Sequence, residues 1–323
     1  MIVGTSFYLA NYNYCYPIKR NNRILEYYID APDLFNERML NDSDGIVMVD
    51  YGRQGIQYNP AYIGLVGLFA LNRYLQTDSK KALNKAIVYA EWLKKNYISS
   101  SCGYLWYYYF ERYENNTFLK NPWCSAMAQG LCISLLLRVG KLTNDIDMLE
   151  IAEKASSCFE TTINNGGVKH ELSSNSCLYE EYPSYPLPSV LDGSLFALIG
   201  LYDLFVFTND MKYLQLFKNG VLGIEQVIES YNYKYKWSWY GIGYNILCDN
   251  RYNSLNCVLL EVVAKFSNSK TLLKYATLWN PCKLTIYDKI EIGFVRFILL
   301  EILYCKVIYR AIKRRISEFI CAV

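Results

Sequence analysis

Val190-Leu191-Asp192-Gly193-Ser194-Leu195-Phe196-Ala197-Leu198-Ile199-Gly200-Leu201-Tyr202-Asp203-Leu204-Phe205-Val206-Phe207 is apolar almost all round a helical wheel; it breaks at Thr208-Asn209-Asp210 and resumes over residues 211–230 with apolar side chains at helical spacing beside a polar face. A helix apolar on every side is buried, whereas one with a single apolar stripe lies on the surface. The stretch reads as an inner helix, a tight turn, and an outer helix folded back over it. Thr, Asn and Asp at the turn supply the side-chain oxygens that the start of the second helix needs.

The same pattern recurs outward from this unit. Residues 62–71 lead through Gln76-Thr77-Asp78 into a charged, amphipathic run over 80–96; residues 126–137 turn at Thr143-Asn144-Asp145 and return over 148–163; a weaker copy runs over 255–266, turns at Ser267-Asn268-Ser269 and returns through Trp279. Repeated helical hairpins with apolar inner members stack into a ring. The expected fold is mainly α: an incomplete (α/α) toroid, with short β-hairpins in the aromatic and glycine-rich connecting segments 103–113, 166–185 and 231–246. Those connections crowd one end of the ring, which is where a site is expected. Asp78, Asp145 and Asp210 are assigned as helix caps. Residues 1–50, with turns at Asn21-Asn22 and Asp42-Ser43-Asp44-Gly45, form a short extended or hairpin region; 51–285 form the toroid; 286–323 form an amphipathic, basic C-terminal helix.

Composition narrows the chemistry. With 323 residues, 52% apolar and 20% charged, the chain can bury a large core. The formal charge of +3, from 33 Lys+Arg against 30 Asp+Glu, gives no overall footprint for nucleic acid, so any polyanion site is local. A single histidine, His170, excludes mechanisms needing two imidazoles, and it reads as a hydrogen-bonding residue. The 11 cysteines are scattered with no CxxC spacing and read as free core thiols of a reducing compartment; neither a metal nor a cofactor is expected. With no basic-then-apolar leader at the N-terminus, the expected location is cytoplasmic. No segment offers ~18 uncharged apolar residues. The nearest, 292–309, contains Arg296, Glu301 and Lys306 and runs into Arg310, Lys313, Arg314 and Arg315. It reads as a packed helix with a charged end, or as a tail in peripheral contact with a membrane.

The connecting segments carry a likeness. Asn121-Pro122-Trp123-Cys124-Ser125-Ala126-Met127-Ala128-Gln129-Gly130, Gly166-Gly167-Val168, Tyr179-Glu180-Glu181-Tyr182-Pro183, Val190-Leu191-Asp192-Gly193 with Leu198-Ile199-Gly200-Leu201-Tyr202-Asp203, then Trp237-Ser238-Trp239-Tyr240 and Asn250-Arg251-Tyr252-Asn253 resemble, in order, the motifs of the D-glucuronyl C5-epimerase C-terminal domain. The resemblance implies an α/α-toroid enzyme that converts glucuronate to iduronate within a heparosan-like polysaccharide. It carries over catalytic roles to Glu181, Tyr182, Tyr240 and Tyr252. Substrate-binding roles are expected for Arg112, Gln129, Glu180, Arg138, Arg251 and Trp237, and self-association as a homodimer is a further expectation. Two positions depart from the family pattern: Asp192 stands where an Asn is usual, and Asn253 where a His is expected.

C5 inversion removes a proton from the carbon beside a carboxylate and returns one to the opposite face, so two groups must flank the ring. With one histidine in the chain, phenols and a glutamate are the available pair. A free phenol titrates near pH ~10, so a resident tyrosinate needs roughly 3 kcal/mol or more of help from positive charge. Arg251, Arg112 and Arg138 are the candidates. Negative charge growing on the substrate carboxylate calls for fixed donors, and a guanidinium fork suits a carboxylate. The same carbanion can instead expel the C4 oxygen, which makes a uronate lyase the nearest rival. A two-carboxylate hydrolase and a glycan-binding toroid that has lost its chemistry are the others.

Overall fold

The computed structural model describes residues 16–17, 24–30 and 39–320, with the backbone alone for 16–17, 30 and 306–320. The turn expected at Asn21-Asn22 lies outside the described residues. Nine helices are described: α1 Pro60–Thr77, α2 Lys80–Asn96, α3 Ala126–Thr143, α4 Ile146–Ala155, α5 Leu191–Thr208, α6 Met211–Val227, α7 Asn250–Ser267, α8 Lys270–Leu278 and α9 Ile286–Ile320. The odd-numbered members α1, α3, α5 and α7 are the inner helices, and each is followed by an outer partner. α1 packs on α3, α3 on α5 and α5 on α7; no comparable contact joins α7 to α1, so the described ring is open there. The chain is thus mainly helical and toroidal, as its apolar periodicity predicts.

One device makes all four helical turns. The last residue of each inner helix (Thr77, Thr143, Thr208, Ser267) donates its hydroxyl to the carbonyl four residues back. The next residue (Asp78, Asn144, Asn209, Asn268) is left-handed, with φ between 53° and 58°. Then Ser79, Asp145, Asp210 or Ser269 caps the outer helix. Asp and Asn tolerate the left-handed conformation better than other residues with a side chain. Asp78 therefore ends α1, and the N-cap expected of it belongs to Ser79. α4 stops at Ala155, short of the expected 163, and tightens into a 3-10 turn over Ser156–Phe159, where the Ser156 hydroxyl donates to the Glu153 carbonyl.

Short antiparallel strands join the pairs. They are β1 Tyr16–Pro17 with β2 Ile29–Asp30; the sheet of β3 Met39–Asn41, β4 Val47–Asp50 and β5 Ile56–Tyr58; and four hairpins. The hairpins are β6 Ile98–Ser100 with β7 Gly103–Leu105, β8 Arg112–Glu114 with β9 Thr117–Leu119, β10 Lys169–Ser173 with β11 Ser176–Tyr179, and β12 Asn232–Tyr233 with β13 Trp237–Ser238. The described part of residues 1–50 shares the main core through Tyr27, Ile29, Ile46 and Val47. α9 packs by Ile292, Val295 and Leu299 on Trp237 and Leu247, and Lys236 ties it down through Asp288 at 2.6 Å and Glu291 at 2.9 Å. α5 is long and apolar enough to cross a membrane by composition alone, but 72% of it is buried inside the ring.

Arg138 is not at a substrate site. It is fully buried on the second turn from the end of α3, where it forks onto Asp203 of α5 at 2.6 and 2.9 Å and lies over the rings of Tyr27 and Tyr28. Asp203 also accepts from the Tyr28 hydroxyl at 2.6 Å and from Ser134 at 2.7 Å. The backbone around Tyr27 is fixed from α1, with Asn72 accepting from the Tyr27 N–H at 2.7 Å. This network closes the end of the ring away from the connecting segments. Removing one partner of a buried ion pair strands the other charge, which costs about 3–5 kcal/mol. Arg138→Ala is expected to lower unfolding free energy by about that amount, read by urea denaturation; a loss under 1 kcal/mol would contradict the structural role.

Candidate active site

The inner helices all begin at the opposite end, and their first turns converge on one cavity of about 210 Å³. Tyr62 of α1, Met127 of α3, Asp192 of α5 and Tyr252 of α7 line it, each within three residues of its helix start. This volume is below the ~300–1,000 Å³ of drug-sized sites, which suits a single sugar ring. Helix N-termini carry partial positive charge, so four together favour an anionic ligand. Three of the four are side-chain capped, by Asn59, Ser125 and Asp249; Val190 before α5 provides no side-chain cap.

The wall residues come from the connecting segments. Glu180 and Glu181 follow directly after β11, and the chain bends at Glu181. Glu180 turns into the loop and accepts from Ser189, from the N–H at 3.1 Å and the hydroxyl at 2.7 Å. Glu181 turns into the cavity. Gly193 makes room for it: a Cβ there would stand 2.7 Å from Glu181 Oε2, so only glycine lets the carboxylate lie on the first turn of α5. Tyr182 lies beside Trp123, with ring centroids 5.8 Å apart, and Arg112 of β8 sits 5.2 Å over its ring. Arg112 is held by Glu114 through Nε at 2.8 Å and through Nη2, and Glu114 in turn accepts from Tyr244 at 2.6 Å. Tyr240 and Tyr252 meet edge to face at 5.1 Å.

The cavity therefore gathers Glu181, Tyr182, Tyr240, Tyr252 and Arg112 from segments up to 140 positions apart. The other sequence-assigned residues lie elsewhere. Gln129 is fully buried and serves the backbone, accepting from Trp106 N–H and donating to the carbonyls of Tyr104 and Ala155. Trp237 is 1% exposed and donates to the Cys248 carbonyl. Arg251 points to Asp249 at 3.5 Å and is 39% exposed. Asn253, the departure from the expected His, is also structural: it accepts from Ser238 and donates to the Trp279 carbonyl, which fastens β13 to α7. Sequence reading missed Tyr51, Asn59, Tyr62 and Tyr108, although Asn59 joins two of them, accepting from Tyr108 at 3.0 Å and donating to Tyr51 at 2.6 Å. It also gave Asp192 no role beyond a departure.

Glu181 and Asp192 are 9% and 3% exposed, and Glu181 Oε2 and Asp192 Oδ1 have no hydrogen-bond partner among the described residues. Burial pushes Glu181 up to about 8, with the charge of Asp192 adding to it and the Tyr182 hydroxyl opposing. Burial likewise raises Asp192 to about 7 against the pull of backbone N–H groups at the start of α5. The phenols go the same way. Burial first, then a neighbouring carboxylate for Tyr182 and Tyr252 and neighbouring phenols for Tyr240, hold all three well above the usual phenol range. Burial thus works against the resident tyrosinate expected from the arginines, and it moves the two carboxyls toward neutrality.

These features define a class: an open α/α toroid with an acid-lined, phenol-rich pocket at the helix N-termini. Residues 99–281 match the family model described as D-glucuronyl C5-epimerase C-terminus. The chain belongs to that family. It is 34% identical over 184 residues to the D-glucuronyl C5-epimerase of Caenorhabditis elegans, a match covering 51% of this chain and 30% of that protein. It is 27% identical over 179 residues to an uncharacterized protein of Methanocaldococcus jannaschii, covering 54% and 57%. The matches thus span well under two thirds of either relative. Among solved structures, two GH76 enzymes of Bacteroides thetaiotaomicron share the fold. One is an alpha-mannanase with TM-score 0.52 at 12% identity, over 85% of this chain and 79% of that one; the other is a mannosidase with TM-score 0.50 at 14% identity, over 80% and 75%.

The raised carboxyls set a pH dependence of stability. A group whose folded value lies above its unfolded one binds more protons in the folded state through the interval between them, so stability falls as pH rises across it. For Glu181 and Asp192 that interval runs from their ordinary values, 4.5 and 3.8, up to about 8 and 7. Asp288 and Glu291, pushed down to about 2 by lysines, act only on the acid side of it. Melting temperature should therefore decline from pH 5 to pH 8, and Glu181→Gln should flatten the decline; equal slopes in both proteins would refute the assignment.

Proposed function

We propose that the protein is an epimerase that inverts C5 of glucuronate to iduronate within a heparosan-like or other uronate-containing polysaccharide. What supports this reading best is the meeting, in one cavity at four helix N-termini, of Glu181, Asp192, the phenols of Tyr182, Tyr240 and Tyr252, and the guanidinium of Arg112. An ionised carboxyl takes the C5 proton; the electron pair left on C5 spreads into the sugar carboxylate, which the helix ends and Arg112 stabilise. A phenol on the other face then gives its proton to C5 and recovers one from solvent. No metal or cofactor is called for in this scheme, and every group in it comes from the chain.

Incubation with heparosan in deuterium oxide tests the reaction. Deuterium should enter C5 with chain length unchanged, whereas a lyase would shorten the polymer and leave an ultraviolet-absorbing unsaturated uronate. Tyr252→Phe and Glu181→Gln should each cut exchange by about 10²–10⁴-fold, the usual contribution of a general acid or base, while glycan binding persists. Full exchange in both variants would remove these residues from the mechanism.

The C-terminal helix adds a proposed partner, the membrane. Opposite the face packed on Trp237, α9 leaves Ile290, Phe294 and Tyr304 60–61% exposed and Ile286 52% exposed. The sequence beyond adds Lys306, Arg310, Lys313, Arg314 and Arg315 against one acid, Glu318. An apolar stripe followed by basic charge fits an anionic lipid surface better than a second copy bearing the same charge. Flotation with phosphatidylserine vesicles should recover the protein, with binding weakened at least fivefold by Phe294→Asp and lost on neutral vesicles. A stable dimer with no flotation would assign the stripe to self-association instead.

A further inference from the structure

Two buried carboxyls, each with an oxygen left unbonded, face one small cavity, and one of them stands where the family pattern has an amide. We propose that Asp192 works in its protonated form, as a neutral hydrogen-bond donor to the carboxylate of the bound uronate, and that Glu181 and Asp192 hold one proton between them when the site is competent. This rests on the uronate-epimerase reading and adds a binding role and a pH gate to it.

The geometry brings two acidic groups to one turn of helix. Gly193 brings Glu181 onto the turn that carries Asp192, and Oε2 of one and Oδ1 of the other have no hydrogen-bond partner among the described residues. Two ionised carboxylates held this way in a dry space repel, and the first proton lost makes the second harder to remove. The surroundings supply little compensation. From β8, Arg112 is already engaged by Glu114; from the start of α7, Asp249 adds negative charge and is paired with Arg251. The phenols at 62, 182, 240 and 252 stay protonated across the relevant range. A uronate entering brings a further negative charge, which strengthens the hold on the shared proton.

The proton balance is then complete. In the empty site the proton rests more on Glu181 than on Asp192. A hydrogen bond to the sugar carboxylate draws it to Asp192, which donates there; Glu181, ionised by that transfer, takes the C5 proton as the C5–H bond breaks; a phenol on the opposite face supplies the new one. An Asn at this position would donate in the same way at every pH. Asp192 donates only while protonated, so the site turns off as the pair loses its last proton.

The test reads the pair with and without reaction. In substrate-free protein, the infrared carbonyl band of a buried protonated carboxylic acid should persist at pH 7 and disappear as pH approaches 9. In Asp192→Asn it should titrate at least tenfold lower in proton affinity, because Glu181 has lost its charged neighbour. In the exchange assay the wild type should show a decline on the alkaline side that Asp192→Asn abolishes, and Asp192→Ala, which cannot donate, should lose at least tenfold in kcat/KM. A wild-type band absent at pH 7, or an Asp192→Asn profile superimposable on the wild type, overturns the inference. Should the wild type exchange no uronate polymer at any pH while the band titrates as described, the shared proton stands and the reaction assignment fails.

Discussion

The inner ring depends on a backbone-to-backbone contact. Where α3 crosses α5, a Cβ on Gly130 would lie 2.5 Å from the Phe196 carbonyl oxygen, and one on Gly200 would lie 2.5 Å from Gly130 Cα. Any side chain at either position would drive the helices apart, because packed interiors offer no slack for an extra methyl group. With the crossing fixed, the start of α5 is held at a set depth beside the start of α3, and Ala126 N–H bonds the carbonyl of Glu180 at 3.1 Å. The segment that carries Glu181 and Tyr182 is thereby pinned to both helices. The cavity is a consequence of how closely two helices approach some distance below it.

The four helix pairs were legible because their signal is local: an all-apolar run, a three-residue polar turn, an amphipathic return. The turn rule was legible in kind and wrong in one detail, since Asp78 and Ser79 both satisfy capping chemistry and only the backbone decides which residue goes left-handed. The cavity was legible where side chains belong to motif segments, at Glu181, Tyr182, Tyr240 and Tyr252. It was illegible at Tyr51, Asn59, Tyr62 and Tyr108, which reach the same space from 73 to 201 positions away and resemble any other aromatic or amide in a chain with 32 tyrosines.

The misplaced residues show what a sequence omits. Gln129 and Arg138 are polar residues on an apolar helix, which reads as function. Their position along the axis decides otherwise. Arg138 lies twelve residues beyond Ala126, or ~18 Å down the helix at ~1.5 Å per residue, and so belongs to the closed end with Asp203. Gln129 is near the open end but is consumed by three backbone groups of the strands and helices around it. Glu180 and Glu181 look equivalent in sequence, but Glu180 is drawn to Ser189 while Glu181 lies against Gly193. Arg251 sits next to Tyr252, yet side chains adjacent on a helix point about 100° apart, and its charge goes to Asp249 instead.

The two departures from the family pattern have opposite meanings. Asn253 is absorbed by packing: its amide accepts from Ser238 and donates to Trp279 in a buried joint, so the loss of an imidazole there costs the cavity nothing. Asp192 changes the charge of the cavity itself. Burial makes ionisation expensive, and a neighbour of like charge makes it more so; the same dryness strengthens whatever hydrogen bond a retained proton makes. A carboxylic acid in that position thus does the work of an amide below a threshold pH and opposes anion binding above it. One atom's difference, oxygen for nitrogen, turns a fixed donor into a conditional one.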